Sequence, residues 1–341
     1  MSSSQTADFL LAHRGRGEDL GAWVIGAAFG REGRSCAFAL GDGSVRLAAP
    51  EGNWASIAAH DGGCLAIAPD CRDGVLTGGD DGRLMHVASD GTATEIASHG
   101  SRWVDHVASH ESGLRAAAVG KAVHLLDASG AALKSLAHPS TVTGIAIDAK
   151  GKRVAASHYN GASLWFVAAK ESTPRLLEWK GSHTAVVISP DGSHVVTAMQ
   201  ENTLHGWRLS DGQHMRMAGY PSKTKSLGFT AKGRWLATAG ADCIVLWPFF
   251  GGGPMGKAPT ELAGGDGVLC TMVACHPNQE VIAAGFGDGL VLMAEVASGR
   301  VVPIAPPSGS AVAALAWNGT GTRLAFGTEG GFAGLLDLAK R

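Results

Sequence analysis

A short pattern of apolar runs and turns recurs along the chain, and this repeat constrains the fold more than any other feature. Each copy has an apolar run, a turn with glycine, a second apolar run ending in small residues, a turn close to Asp-Gly, and a third apolar run. Clear copies span residues 145–167, 186–209 and 227–247. Self-similarity at a fixed period is typical of architectures built from repeated supersecondary units.

The spacing of the copies indicates what the repeated unit is. Anchored on the turn before the third run, the copies are separated by 39, 40, 39, 42, 40, 46 and 42 residues. The anchors are Gly43, Gly82, Ala122, Gly161, Thr203, Cys243, Gly289 and Gly331. One four-stranded propeller blade takes about 40–45 residues. We therefore predict an all-β fold in which residues 1–341 form a single β-propeller domain of eight four-stranded blades. Seven blades are the alternative, if the weak third repeat at residues 104–126 is irregular.

The two ends of the chain predict how the ring of blades closes. The last copy stops after its third strand, at residues 336–338, whereas an unassigned segment at residues 8–13 precedes the first copy. Pairing this N-terminal segment with the third strand of the last blade, near residues 332–338, would remove an exposed strand edge. We therefore predict that an N-terminal strand closes the ring.

Net charge, apolar runs and cysteine content indicate which classes of partner and which cell compartment to expect. With 28 basic and 30 acidic residues the net charge is −2, which does not favour nucleic-acid binding. No apolar run approaches the about 18 residues of a membrane span, and residues 1–17 lack the apolar core of a secretory signal. We predict a cytoplasmic chain, monomeric on its own, whose six cysteines are reduced.

Four positions in the repeats resemble the WD40 family. That family has a His before the first strand, a Ser or Thr in the second, an Asp in the following turn, and a Trp ending the third. The matching residues are His138, Ser157, Asn160 and Trp165 in repeat four, His183, Thr197, Asn202 and Trp207 in repeat five, and Thr238, Asp242 and Trp247 in repeat six. The chain resembles a diverged member, because no Trp is followed by Asp. The resemblance implies that these side chains form a buried hydrogen-bonded network in each blade.

Motifs for catalysis or metal binding are weak in this sequence. Cys270, Cys275 and His276 are close together but contain no Cys-x-x-Cys pair. The glycines at residues 285–289 are not followed by the Lys-Ser/Thr of a phosphate-binding loop, and there is no Gly-x-Ser-x-Gly. We predict no metal, no cofactor and no enzymatic activity. An enzyme or small-ligand binder that uses the central channel stays the alternative, and a channel lined by several ionisable groups would favour it. A channel lined by small neutral residues would favour a binding scaffold.

Propellers usually bind partners on one face. It is formed by the loops that enter the first strands and the loops between second and third strands, and we call it the top face. The predicted contact residues there are Tyr159, Arg102, Trp103, His158, Trp23, Glu201, Lys223 and Phe286, with His183, Gln200, Lys225 and Glu329 as further candidates. Trp, Tyr and Arg are enriched in binding hot spots. We therefore predict a scaffold that binds a protein or peptide on its top face, although Trp23 and Trp103 could instead start core-facing strands.

An insertion at residues 249–255 lengthens the sixth spacing. The resemblance to the WD40 layout implies that this loop joins a third and a fourth strand, on the opposite face. We expect its two Phe residues to pack on the blade edge. Contact with a partner is the alternative for this pair.

Overall fold

Antiparallel strands make up most of the chain. A computed structural model of the protein describes residues 8–33, 35–49, 52–170 and 173–339. In these ranges it contains the strands β1 to β30 and one short helix, α1 (Leu10–Arg14). This helix, five residues long, falls far short of the length that a bilayer-spanning helix needs, and no other helix lies in the described ranges. The prediction of an all-β propeller with four-stranded blades is confirmed.

Six of the sheets have four strands each, and neighbouring strands in every sheet are antiparallel. Five of them run in order along the chain: β2 (Val24–Phe29), β3 (Cys36–Leu40), β4 (Ser44–Ala48) and β5 (Ala55–Ala58); β6 (Cys64–Pro69), β7 (Val75–Gly79), β8 (Arg83–Val87) and β9 (Ala93–Ser98); β10 (His106–Ser109), β11 (Arg115–Val119), β12 (Ala122–Leu126) and β13 (Ala132–Ala137); β20 (Leu227–Phe229), β21 (Trp235–Thr238), β22 (Cys243–Pro248) and β23 (Thr260–Gly264); β24 (Cys270–Cys275), β25 (Val281–Phe286), β26 (Val291–Glu295) and β27 (Val301–Ala305).

The strands of repeats four and five lie in one six-stranded sheet. It contains β14 (Gly144–Ile147), β15 (Arg153–Phe166), β16 (Arg175–Ile188), β17 (His194–Met199), β18 (Leu204–Arg208) and β19 (His214–Met217). Strand β15 holds the second and third runs of repeat four, and β16 holds the last strand of repeat four and the first of repeat five. Tyr159 pairs with Ser182 beyond the point where these strands would otherwise end, and this pairing makes each strand continuous.

The prediction of eight separate four-stranded sheets is therefore wrong, and the stated alternative of seven is what the described ranges contain. The reason given for that alternative is also wrong, because the third repeat forms the regular sheet β10–β13. Eight first strands still succeed one another around the centre of the ring. They are β2, β6, β10, β14, the second half of β16, β20, β24 and β28 (Val312–Trp317).

An N-terminal strand closes the ring, as predicted, but it is not the predicted segment. Strand β1 (Gly15–Asp19) pairs with β30 (Phe332–Asp337), which continues the sheet of β28 and β29 (Arg323–Thr328). Residues 8–13 do not pair, because Leu10 and Leu11 belong to α1 and pack against the core of the last blade. A Cβ added at Gly15 would lie 2.7 Å from the Leu335 carbonyl oxygen, so glycine suits the paired segment.

Neighbouring blades approach so closely that some contacts exclude any side chain. A Cβ added at Gly285 in β25 would lie 2.4 Å from Cγ1 of Val312, at the start of the next first strand. A Cβ at Gly327 in β29 would lie 2.4 Å from Cγ1 of Val24, across the closure of the ring. Real Cβ atoms do not approach that closely, so both interfaces depend on the missing side chain.

Buried tryptophans stabilise individual repeats through packing and hydrogen bonds. Trp165, Trp207 and Trp247 are buried, with exposed fractions of 5%, 2% and 7%. The Nε1 of Trp165 donates to Nε2 of His138 at 3.0 Å. In repeat six, Nε1 of Trp247 donates to the hydroxyl of Tyr220, which lies 2.6 Å from Oγ1 of Thr238. Tyr220 therefore takes the role that the resemblance gave to a histidine.

The complete four-residue network implied by the resemblance does not form in repeats four and five. In repeat four, Ser157 faces Oγ1 of Thr143 at 3.2 Å, and Asn160 accepts from the amide of Gly181. In repeat five, His183 lies 2.7 Å from Oγ1 of Thr197, while Nε1 of Trp207 has no partner in the described ranges. Only parts of the family network are therefore present.

We expect Gly285→Ala to lower the free energy of unfolding by about 1–3 kcal/mol, as overpacked core sites do. The new methyl group would overlap Val312 and push two blades apart. Gly319→Ala is the matched control, because no atom lies within 4 Å of a Cβ added there. Urea unfolding of both variants measures the difference. Equal stability of the two variants would contradict close packing at this interface.

Histidine protonation should destabilise the fold in acid. Burial lowers the pKa of His138 to about 4, from an unfolded value of about 6.5. As the pH falls from 6.5 towards 4, the unfolded state therefore binds a proton that the folded state refuses, and the free energy of unfolding decreases. Urea unfolding across this range should give a smaller decrease for His138→Gln than for the unsubstituted chain. Other buried histidines contribute equally to both chains, so identical slopes would exclude His138 as a source.

Candidate partner-binding site

The top face carries six of the eight predicted contact residues as exposed side chains. They are Trp23, Arg102, Trp103, Tyr159, Glu201 and Lys223. Trp23 is 50% exposed, and Trp103 and Tyr159 are each 58% exposed. The alternative that Trp23 and Trp103 point into the core is therefore wrong. Trp and Tyr are among the side chains most enriched in binding hot spots, so their exposure here is compatible with a partner surface.

Two of the predicted contact residues are buried, so their expected exposure is wrong. His158 is buried, with Nε2 2.9 Å from Oγ of Ser163 and Nδ1 2.9 Å from the carbonyl oxygen of Tyr159. Phe286 is buried in the core between repeats six and seven. Both residues lie at or near the end of a second strand, where the alternation of side chains still directs them inward. The further candidate His183 is also buried.

The backbone around Tyr159 is fixed although its ring is exposed. Its amide donates to Oγ of Ser140 at 2.9 Å, and its carbonyl oxygen is the partner of the His158 ring. Because β15 and β16 stay paired through Tyr159 and Ser182, the residue stands on a sheet rather than on a loose turn. An exposed aromatic ring on an ordered backbone loses little conformational entropy when a partner binds.

Arg102 and Trp103 lie in the loop that enters the first strand of repeat three. The Nε of Arg102 donates to the carbonyl oxygen of His99 at 3.5 Å. The ring of His99 packs on His124 with centroids 4.5 Å apart. Burial, then the nearby His124 and Arg102, lower the pKa of His99, which favours neutral rings beneath this loop. The loop therefore rests on a packed aromatic pair.

The structure brings Trp23 and Lys223 together in one pocket at the mouth of the central channel. The cavity has a volume of about 560 Å³, and Lys225, Leu269 and Glu329 also line it. Leu269 was missed by the sequence analysis. Its position was the available signal, since it directly precedes a first strand, as Trp23 does. Arg102 and Trp103 lie in the loop that enters repeat three, and Tyr159 lies in β15 of repeat four.

The central channel beneath this pocket is lined mainly by small or neutral side chains. Its cavity has a volume of about 480 Å³, and it is lined by residues from seven of the eight first strands and by Lys225, which shortly precedes the eighth, β20. Only His106 and Lys225 among these lining residues are ionisable. Burial lowers the pKa of His106 to about 4, so its ring is neutral at pH 7. This lining thus consists mainly of the small neutral side chains that the sequence analysis associated with a scaffold.

The insertion on the opposite face divides its two aromatic residues between core and surface. Phe249 is buried and packs edge-on against Phe229, with centroids 4.9 Å apart. Phe250 is 40% exposed and lies between Arg234 and Lys257, whose cationic atoms are 5.3 and 4.8 Å from its ring centroid. Phe249 thus packs as expected, whereas Phe250 contacts the cationic side chains of Arg234 and Lys257.

Metal ligands do not cluster within the described ranges, where no group of three or more His, Cys, Asp or Glu side chains could hold an ion.

Comparison with known proteins places the chain among repeat propellers, although no protein-family model matches it. It is 25% identical over 288 residues to autophagy-related protein 16 of Arabidopsis thaliana, which covers 81% of this chain and 56% of that protein. It is 37% identical over 54 residues to protein groucho of Drosophila melanogaster, which covers 16% of this chain and 7% of that protein. The chain thus spans about half the length of the first relative and a small part of the second.

A solved structure has the same fold. The crystal structure of the computationally designed Ika8 protein matches with a TM-score of 0.76 over 94% of this chain and 98% of that chain. Its sequence identity of 18% supports the fold alone. Both relatives found by sequence are WD40-repeat proteins. The propeller fold and these two sequence likenesses are consistent with the resemblance to WD40-repeat proteins that the sequence indicated.

Proposed function

We propose that this protein is a scaffold that binds a protein or peptide partner on its top face. The observation that carries the proposal is the presence of three half-exposed aromatic side chains, Trp23, Trp103 and Tyr159, at that face. WD40 propellers generally bind protein partners, and the WD40 relatives of this chain act as interaction scaffolds. The proposal extends that general role to these particular residues.

The physical basis is the combination of a stiff frame with large anchors. Binding is weakened by the ordering of loops and side chains, and a surface that is already ordered avoids much of that loss. Tyr159 and the loop before Trp103 are both held by hydrogen bonds or ring packing. Trp, Tyr and Arg side chains dominate the energy of many protein interfaces. The channel lining, in which only His106 and Lys225 are ionisable, supports this function over an enzymatic one.

We also propose that the repeats act as a single domain, monomeric on its own and located in the cytoplasm. All six cysteines are free, and four of them have pKa values raised to about 11 or 12 by burial. Unpaired thiols are typical of proteins kept in a reducing compartment.

We expect Tyr159→Ala with Arg102→Ala to weaken partner capture by about 1–2 kcal/mol, the range of typical interface anchors. The measurement is quantitative capture of binding proteins from the native cell by the full chain, with mass-spectrometric identification. Phe166→Ala is the matched control, because Phe166 is 55% exposed but ends a third strand and so lies on the opposite face.

Circular dichroism must first confirm that both variants fold. Capture that survives the top-face substitutions but is lost with Phe166→Ala, or with a shortened loop at residues 249–255, would move the working surface to the opposite face.

A further inference from the structure

We propose that the pocket at the channel mouth binds a linear peptide segment in which an apolar side chain stands next to acidic residues. This rests on the proposed function and specifies the chemistry of the partner. The relevant pocket is the one lined by Trp23, Lys223, Lys225, Leu269 and Glu329.

The pocket has room and apolar surface for an inserted side chain. Its volume of about 560 Å³ falls within the range of about 300–1,000 Å³ typical of ligand pockets. Trp23 and Leu269 border it with exposed fractions of 50% and 37%. Ile25 and Met272 line both this pocket and the channel cavity, so the two spaces adjoin. An apolar side chain placed here would remove the exposed tryptophan and leucine surface from water.

The charged residues at the pocket determine which peptide residues are favoured next to the inserted apolar side chain. Lys223 and Lys225 are both exposed, and neither forms an ion pair in the part of the chain that the structure describes. Thr224 between them is buried, and its hydroxyl donates to the carbonyl oxygen of Ala239 at 3.1 Å. This bond anchors the backbone that carries both lysines. Two such cations attract carboxylates of a partner.

Glu329 gives the pocket a second, opposing charge. It is the one carboxylate among the residues that line this pocket, and it comes from the last repeat, whereas the lysines come from repeat six. An acidic peptide is therefore attracted on the lysine side and repelled on the Glu329 side. A nucleic acid is a poor fit, because two lysines on a chain of net charge −2 make no extended basic track.

The experiment selects binders from a displayed library of heptapeptides with leucine fixed at the centre and six random positions. The full chain serves as bait, alongside the variants K223E/K225E and E329Q. The matched control is K150E/K152E. Lys150 and Lys152 are also exposed and two residues apart, but they lie at the turn between β14 and β15, on the opposite face. Fluorescence anisotropy then measures the affinity of selected peptides at two salt concentrations.

We expect the unsubstituted chain to enrich Asp and Glu beside the leucine. Affinity for these peptides should fall about tenfold with K223E/K225E and change less than about twofold with K150E/K152E, as expected for direct rather than bulk charge effects. E329Q should strengthen binding about two- to threefold, because it removes a like charge. Higher salt should weaken binding to the unsubstituted chain.

The inference is overturned if acidic residues are not enriched, if no peptide is enriched at all, or if the two double-lysine variants weaken binding equally. Trp23→Ala separates this failure from failure of the proposed function. Selected peptides without acidic residues that still bind more weakly to Trp23→Ala would leave the top-face scaffold standing.

Discussion

The closeness of neighbouring blades is the constraint on which the rest of the structure depends. At their closest contacts, a second strand and the next first strand leave no room for a large side chain. Gly285 and Gly327 meet this demand without a side chain, and Ala116, Ala117 and Ala118 line a second strand with only methyl groups. Larger side chains there would force the blades apart. Glycine and alanine at these contacts thus follow from the packing of neighbouring blades, and larger side chains are left to other positions, among them the two ends of the ring.

Hydrogen bonds between first strands keep those loops in place. The hydroxyl of Thr271 donates to the carbonyl oxygen of Val312 at 2.7 Å, and the hydroxyl of Thr143 donates to that of His183. Each bond joins one repeat to the next around the channel. Because these residues lie just below the top face, the walls of the pocket at the channel mouth are held relative to one another. Such a surface can recognise a partner with little loss of its own conformational entropy.

The repeat period was enough to predict the propeller, because a spacing near 40 residues and regular turns leave few other folds. The exposure of Tyr159 also followed from its place in the repeat, whereas the sequence left open whether Trp23 and Trp103 face solvent or the core. The joined sheet of repeats four and five could not be predicted, because it depends on whether Tyr159 and Ser182 pair past the ends of their strands. The burial of His158 and Phe286 was missed for a related reason, since inward or outward direction at a strand end changes with a shift of one residue.

Closure by β1 has a consequence for how the protein folds. Its pairing with β30 joins Gly15 to Leu336 and Asp19 to Phe332, so it brings together residues from almost opposite ends of the sequence. Contacts of such high sequence separation form late, because much of the chain must be ordered before they add stability. During synthesis the ring stays open until the last repeat has been made, and β30 then presents an unpaired edge until β1 arrives. In this interval the exposed edge of β30 could pair with a strand of another copy of the chain. Rapid pairing with β1, or a chaperone that covers the edge, would prevent this association.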